Sequence, residues 1–461
     1  MKGDLQVIIS NKLICLVYSS LLILLISNPV HSQLNVSENG RHLVDVNGTP
    51  FFWLGDTGWA LFQKLNREEV TFYFESRAQQ GFSVIHAAAF NINPFVLPPV
   101  SNVYGDLPFL NNDPLQPIVT PGNNPGDSLA YDYWDHVEYV INTANKYGLY
   151  INLLPVFGVS EGEGYNLISP KNAYEYGRFI GRRFKDKNNI IWCMGGDVLA
   201  DNDLQKSVWN LLAKGITEGV PGTEDYDKTL MTYHVRGGHS SSEYFSDALW
   251  LDFHMLQTWA SFTSIYDAVT KDYNREPVKP ILHGEGAYED GPEYPTKPIT
   301  PHIIRKQAYW AIFAGGFHTY GNSNVWNFGT NPYYVSQDWK DAIRSEGSNN
   351  LSICRAFFES LEWWDLSPDQ SLIVKGIGAG DSLNVAMRSF KGNTIIVYFS
   401  ISTSATIDFK EFKNTGSFVA IWIDPKTGEK YEIGDFINIE SITFSTPDGW
   451  EDALLLLQAK N

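Results

Sequence analysis

Two short stretches constrain the fold more than any other: residues 190–197 (IIWCMGGD) and residues 280–285 (PILHGE). Each is a mostly apolar run that stops at a small-residue turn and a carboxylate. Runs of Ile, Trp, Cys and Met without a helical stripe read as strands buried on both faces. A buried strand that ends in an acid delivers that acid to one rim of its sheet. In a parallel α/β barrel, that rim carries the active site. Asp197 and Glu285 are therefore expected to face each other there as a catalytic pair. The alternative is that each caps the helix after its strand, since Asp is a favoured N-cap.

The rest of the chain supplies the other strands. A hairpin is expected over 34–48 beneath the barrel, and a first strand over 50–54 leads to Asp56 and Trp59. Helical spacing over 67–80 is followed by a strand over 82–88 containing His86. Next comes a loop of about forty residues, 91–130, holding eight prolines, and loops of that length are usually functional or disordered. Leaving the C-terminal end of a strand, it is expected to wall the substrate cleft. Strands then alternate with helices: strands at 149–156, 190–197, 230–235, 251–256, 280–285 and 316–320, helices at 131–147, 171–185, 203–218, 264–274 and 301–313. Eight strands separated by helical stretches predict a (β/α)8 (TIM) barrel over 33–367. A doubly wound sheet is the runner-up, without a GxGxxG after an early strand to support it.

After Pro368 the texture changes to short alternating runs with turns between them, such as 394–400, 418–424 and 442–445. This predicts a small antiparallel β-sandwich over 368–461, roughly ninety residues, packed on the barrel through 357–366. At the other end, Lys2 and Lys12 precede a greasy run over 13–26, and Val30-His31-Ser32 offers a cleavage site. Residues 1–32 thus read as a signal peptide that exports the chain to the periplasm, cell surface or medium. A retained anchor is the alternative, but the run is shorter than a spanning helix needs, so no stable membrane insertion is expected. The formal charge of -18 leaves no basic face for phosphates and argues against a nucleic-acid partner. Beyond the leader only Cys193 and Cys354 remain, too few for a disulfide framework, and both read as buried thiols.

Strand ends nominate the lining of the mouth: Asp56 and Trp59, His86, Asn91, Asp197, His234 with Arg236, His254 with Gln257 and Trp259, His283 with Glu285, His318 with Tyr320, and Trp326 just beyond. Sugar recognition needs flat apolar faces for the C–H face of a ring and polar groups for its hydroxyls, and this set supplies both. Any one of these histidines alone would read as structural. A zinc site is the competing chemistry for His and carboxylate residues. The sequence has no HExxH and no HxH at the first strand, and no GxSxG for a serine nucleophile. No metal or cofactor is expected.

With those residues in view, the chain resembles the apiosidase-like family, glycoside hydrolase family 140, from about Leu34 to its end. The resemblance rests on FFWLGDTGWALFQKLNREE (51–69), IIWCMGGD with Asp197, LHGEGAYE with Glu285, and AYWAIFAGGFHTYGNSNVW (308–326). It implies a retaining barrel glycosidase with its acid/base after strand four, its nucleophile after strand seven, and a C-terminal β-sandwich of the collagen-binding type. Related barrel clans carry Asn-Glu at the strand-four position; here the pair is Gly196-Asp197, so a shorter acid must reach the leaving oxygen. The implied substrate is the apiose–galacturonic acid linkage of the plant pectin rhamnogalacturonan II. A non-catalytic carbohydrate- or matrix-binding protein is the rival from another class; it would keep the aromatic cleft and lose one carboxylate.

Overall fold

Strands β1 (Leu54–Thr57), β2 (Val84–Ala88), β3 (Tyr150–Leu154), β4 (Ile190–Val198), β5 (Met231–Val235), β6 (His254–Gln257), β7 (Ile281–Glu285) and β8 (Phe317–Tyr320) form one parallel barrel-like sheet. The computed structural model describes residues 33–91, 101–157, 167–291, 298–330, 335–409, 417–437 and 440–460; the expected signal peptide lies outside them. The ladder runs β5-β4-β3-β2-β1-β8-β7-β6, with a short antiparallel strand, His239–Ser240, beside β6. Between β5 and β6 the seam is joined at the foot of the strands. Asp252 N–H donates to Met231 O (2.9 Å), and Met231 N–H donates to the Asp252 carboxylate (2.7 Å). Most strand positions are buried on both faces because helices cover the outside and side chains fill the inside.

A helix follows each strand: α1 (Arg67–Gln79), α2 (Tyr133–Lys146), α3 (Ala173–Arg183), α4 (Asp203–Gly219), the single turn α5 (Ser242–Phe245), α6 (Ile265–Tyr273), α7 (Pro301–Phe313) and α8 (Glu346–Glu359). The cap after β4 is Asn202, which forms a capping box with Gln205, and the cap after β7 is Thr300, with Pro301 in the first turn. Neither Asp197 nor Glu285 caps a helix, so both carboxylates are left for other work.

Two expectations about strands shift by a few residues. The run over 50–54 divides: Pro50–Phe51 completes a three-stranded antiparallel sheet with Leu43–Val44 and Asn35–Val36, and the barrel strand begins at Leu54. The sixth strand starts at His254 rather than at 251, because Asp252 is spent on the β5–β6 seam. Of the long loop, 92–100 lie outside the described residues. The remainder packs over α1 to α3: Phe109 meets Trp134 and Tyr176 edge-on or tilted, and Tyr104 lies under Arg67.

The C-terminal unit is an antiparallel sandwich. One sheet has six strands, in the order Leu366–Pro368, Val385–Ser389, Thr394–Phe399, Ala453–Ala459, Ser417–Ile423, Lys430–Ile437; the other has Ile373–Lys375, Ser404–Asp408, Ser441–Ser445. Alternation divides the six-stranded sheet cleanly. Ile395, Val397, Phe399, Leu455 and Leu457 face the sandwich core, while Ile396, Tyr398, Leu454 and Leu456 join the core of the barrel.

The expected stretch 357–366 meets the sandwich at its end, where the Asp365 carbonyl accepts from Phe390 N–H (2.8 Å) and Leu366 pairs with Ser389, and α7 supplies a second, larger contact. From α7, Arg305 holds the buried Asp452 through two nitrogens (2.9 and 2.8 Å), Tyr309 stacks on Tyr398 with centroids 4.4 Å apart, and Trp310 Nε1–H donates to Leu383 O (3.0 Å). Such an aromatic pair contributes about 0.5–1.5 kcal/mol beyond its buried area. The 357–366 stretch also closes the foot of the barrel, where Trp363 meets Phe52 and Phe317 edge-on. The sequence could not show the α7 contact, because a helix buried on every side from Ile303 to Phe313 has no polar stripe to orient it. Arg305→Ala removes the cation that holds the buried Asp452, leaving it the Tyr398 O–H donor (2.8 Å), and should lower unfolding stability by about 3–5 kcal/mol. Denaturant titration followed by fluorescence checks this; a shift under 1 kcal/mol would show that the pair does not couple the two units.

Candidate active site

The end of β4 is built from three consecutive residues with positive φ: Gly195 (87°), Gly196 (132°) and Asp197 (59°). Glycine adopts this backbone freely, whereas an aspartate held there costs of order 1–3 kcal/mol. The kink breaks the β4–β5 register between Gly195 and Val198 and re-aims the chain, as bulges near active sites do. Gly195 also permits close approach, since a Cβ on it would lie 2.3 Å from the carbonyl oxygen of His234. What holds the turn is the Asp197 N–H, which donates to His234 Nδ1 at 3.0 Å. With Nδ1 accepting, the proton of a neutral imidazole sits on Nε2.

His234 Nε2 in turn lies 2.9 Å from Glu285 Oε2, at ion-pair distance but off hydrogen-bond alignment, and neither atom has a hydrogen-bond partner among the described residues. The other oxygen of Glu285 is firmly held: Tyr288 O–H donates to Oε1 at 2.7 Å, and Trp59 Nε1–H donates to the Tyr288 oxygen at 2.9 Å. One imidazole thus connects the backbone of Asp197 to the carboxylate of Glu285. Burial, and then the charge of Glu285, push the Asp197 carboxyl up to about 6, against the opposing pull of His234 and Arg236. Two carboxyl groups in unlike surroundings, one inclined to keep its proton, suit proton donation beside nucleophilic attack.

The other expected residues fall into three groups. Gln257 pairs in register with Glu285 and is buried with Oε1 unpartnered. Trp259 is 46% exposed, and a Cβ on Gly237 would lie 3.2 Å from the Trp259 Cβ. Arg236 is exposed and lies in the field of Asp197. The sequence equally allows Arg236 an ion pair with Glu243 or Asp247; of these, Glu243 is taken by His239 (2.8 Å) and Lys271 (3.7 Å). Trp59 is at the site but only 2% exposed, set against His234 and Phe157 with centroids 4.9 Å away in each case. It is a support beneath the carboxylates and not a platform for sugar. Asn91, with its N–H on Gln63 Oε1 (2.9 Å), and Trp326, whose carbonyl accepts from Ala60 N–H (3.3 Å), are buried beside the segment that follows β1.

The third group makes its side-chain hydrogen bonds inside the protein, with His86 also packed against Trp59 (centroids 5.6 Å apart). Asp56 is fully buried and held by Arg77 (2.7 and 3.2 Å) and by Tyr73 O–H, and Tyr320 O–H donates to Glu289 (2.5 Å). His283 contacts His318 Nδ1 to Nδ1 (2.9 Å) and Thr258 (2.9 Å), not Glu285, and His86 contacts Thr319 (3.2 Å). Burial holds these imidazoles neutral, His283 at about 3. His254, as the first residue of β6, sits at the foot of the barrel, away from the mouth. The reason is geometric: successive residues of a strand turn to opposite faces and occupy different layers, so a position near a strand end does not by itself reach the rim. Sequence reading missed Tyr288 and Phe157. Tyr288 stands three residues past Glu285 within LHGEGAYE, and only the turn of that loop brings its hydroxyl back. Among the described residues no His, Cys, Asp and Glu side chains gather as a metal site.

A family model for the apiosidase-like catalytic domain matches residues 37–365. The chain belongs to the apiosidase-like family. Residues 367–458 match a model named for the collagen-binding domain of a collagenase. Among solved structures, a glycoside hydrolase shares 30% identity over 93% of this chain and 97% of its own, with a TM-score of 0.80. A Bacteroides vulgatus protein described as glycoside hydrolase family 5 shares 30% identity over 92% and 93%, with a TM-score of 0.79. A third structure from the same species, at 16% identity, 94% and 83% coverage and a TM-score of 0.68, shares the fold. No curated protein matches. This apiosidase-like protein is a glycoside hydrolase with a TIM-type barrel and a β-sandwich.

The electrostatics of the apiosidase-like site can be measured without substrate. The Asp197 carboxyl should titrate with a midpoint near 6 when followed by carbon NMR. Glu285→Gln should lower that midpoint, because it removes the negative charge that helps keep the proton on Asp197. An unmoved midpoint would mean that the two carboxyl groups do not sense each other.

Proposed function

We propose that this hydrolase cleaves the apiose–galacturonic acid linkage of the pectin rhamnogalacturonan II by a two-carboxylate retaining mechanism. The observation that carries the reading is the contrast between Glu285, pinned at Oε1 by Tyr288, and Asp197, whose proton is retained up to about pH 6. Glu285 attacks the anomeric carbon while Asp197 gives its proton to the departing oxygen, and a glycosyl-enzyme ester forms. Asp197, now a base, takes a proton from water as that water releases the sugar. Arg236 is the cation for the neighbouring uronate. A chain of net charge -18 repels a polyanion at long range, so recognition needs a local guanidinium that grips a carboxylate through two hydrogen bonds. Trp259 and Gln257 supply the stacking face and the polar contact. Export through the leader over 1–32 would bring the enzyme to plant-wall fragments in the periplasm, at the cell surface or outside the cell, and the sandwich serves as a structural buttress.

The test is incubation with defined rhamnogalacturonan II fragments, with product identification and anomeric configuration read by NMR. Release of apiose-terminated product with retained configuration is expected; inversion or no release would overturn the reading. Glu285→Gln should abolish turnover. Asp197→Asn should cost ~10²–10⁴-fold on the natural linkage, and less on a leaving group that needs no proton. For the wild type, activity should fall as pH rises through about 6, where Asp197 gives up the proton it must donate. Arg236→Ala should raise KM about tenfold on uronate-containing substrates, equivalent to ~1.4 kcal/mol. An equal loss on neutral substrates would remove the case for uronate recognition.

A further inference from the structure

The residue after Tyr288 is tied down more thoroughly than any catalytic group. Glu289 is 2% exposed. Its N–H donates to Gly321 O (2.9 Å), and its carbonyl accepts from Ser323 N–H (3.0 Å). Its side chain accepts twice more, from Tyr320 O–H (2.5 Å) and from the Gly347 N–H in the first turn of α8 (2.8 Å). The N-cap of α8, Ser345, makes no side-chain cap, so Glu289 supplies that acceptor from a different loop. A helix N-terminus favours a carboxylate there. The fit is close on both sides: a Cβ on Gly347 would lie 2.5 Å from the Glu289 carboxylate, and one on Gly321 would lie 2.3 Å from the Tyr288 ring. Tyr288 is thus held between a bare glycine under its ring and a four-way anchored neighbour, with its hydroxyl on Glu285.

We propose that Glu289 is a positioning residue for the nucleophile: by clamping the loop after β7 to β8 and to the first turn of α8, it sets the Tyr288 hydroxyl on Glu285. This rests on the assignment of Glu285 made above. Each carboxyl oxygen accepts one donor, Gly347 N–H on one and Tyr320 O–H on the other, while burial pushes the group up to about 7; an aliphatic side chain of the same size would accept neither, and an amide has an oxygen at only one of the two places. A buried carboxylate is costly unless such donors meet it. A misplacement of about 1 Å at a reacting group can cost ~100-fold in rate, which is the scale on which this clamp acts. If Glu289 only capped α8, its loss would lower stability and leave each folded molecule fully active.

The experiment is a double-mutant cycle with Glu289→Gln and Tyr288→Phe on rhamnogalacturonan II fragments, with thermal unfolding measured alongside. Each single variant should lose about 10- to 100-fold in kcat with KM within about twofold, and the double variant should be no worse than the weaker single by more than about twofold. Losses that multiply, or unchanged kcat in folded Glu289→Gln protein, overturn the proposal. A crystal structure of Glu289→Gln needs no substrate, and so separates this inference from the choice of sugar. It should show Tyr288 Oη moved from 2.7 Å to beyond hydrogen-bond reach of Glu285, whereas an unmoved hydroxyl refutes the clamp. Should Glu289→Gln fail to fold, Tyr320→Phe removes only one of the two side-chain bonds and should give a smaller kcat loss in the same direction; wild-type kcat there also overturns it.

Discussion

The hydrogen bond from the Asp197 amide to His234 Nδ1 is the contact on which the site depends. It stabilises a non-glycine residue at a φ of 59°, a conformation that persists only where the surroundings over-determine it. It also fixes the imidazole so that Nε2 faces Glu285 at 2.9 Å. Without it the end of β4 would have no reason to bend, and its carboxyl would continue along the strand rather than lean toward the acid of β7. The glycines before Asp197 make the bend possible, and the histidine makes it the preferred state.

Behind this contact stand two tiers of support that differ in kind. The first is polar and local: Trp59 holds Tyr288, Tyr288 holds Glu285, and Glu289 fixes the loop that carries Tyr288. Each link is a short directional bond in a place where water cannot compete, which makes geometry, more than energy, the thing delivered. The second tier is apolar and global. The outer face of the six-stranded sheet merges with the barrel core through Ile396, Tyr398, Leu454 and Leu456. The sandwich therefore completes the hydrophobic cover of α7, the helix that follows the strand ending in Glu285. A buried ion pair at Arg305–Asp452 fixes the orientation of a contact that apolar packing alone would leave free to slide.

What the sequence determined by itself was the backbone plan. The run 190–194 is apolar at every position, and 281–282 begins a second such run, as a doubly covered parallel strand requires. The alternation after Pro368 likewise has only a sheet to serve. Asp197 and Glu285, and the glycines before Asp197, were legible as strand endings because strand direction places such ends on one rim. Tertiary structure decided which strand-end side chains reach the mouth. His283, His318 and His86 sit near strand ends as Gln257 does, yet they pair with one another or with threonines inside the protein, because layer and facing follow from tilt and register rather than from sequence position. Asp56 belongs to Arg77, which arrives from the following helix. Tyr288 reaches Glu285 from a loop that folds back and is bonded through Glu289 to Gly321, Tyr320 and Gly347, contacts between three distant segments. Patterns in a sequence record what each strand must bury. Which polar atoms then meet is set by how those strands close into a barrel.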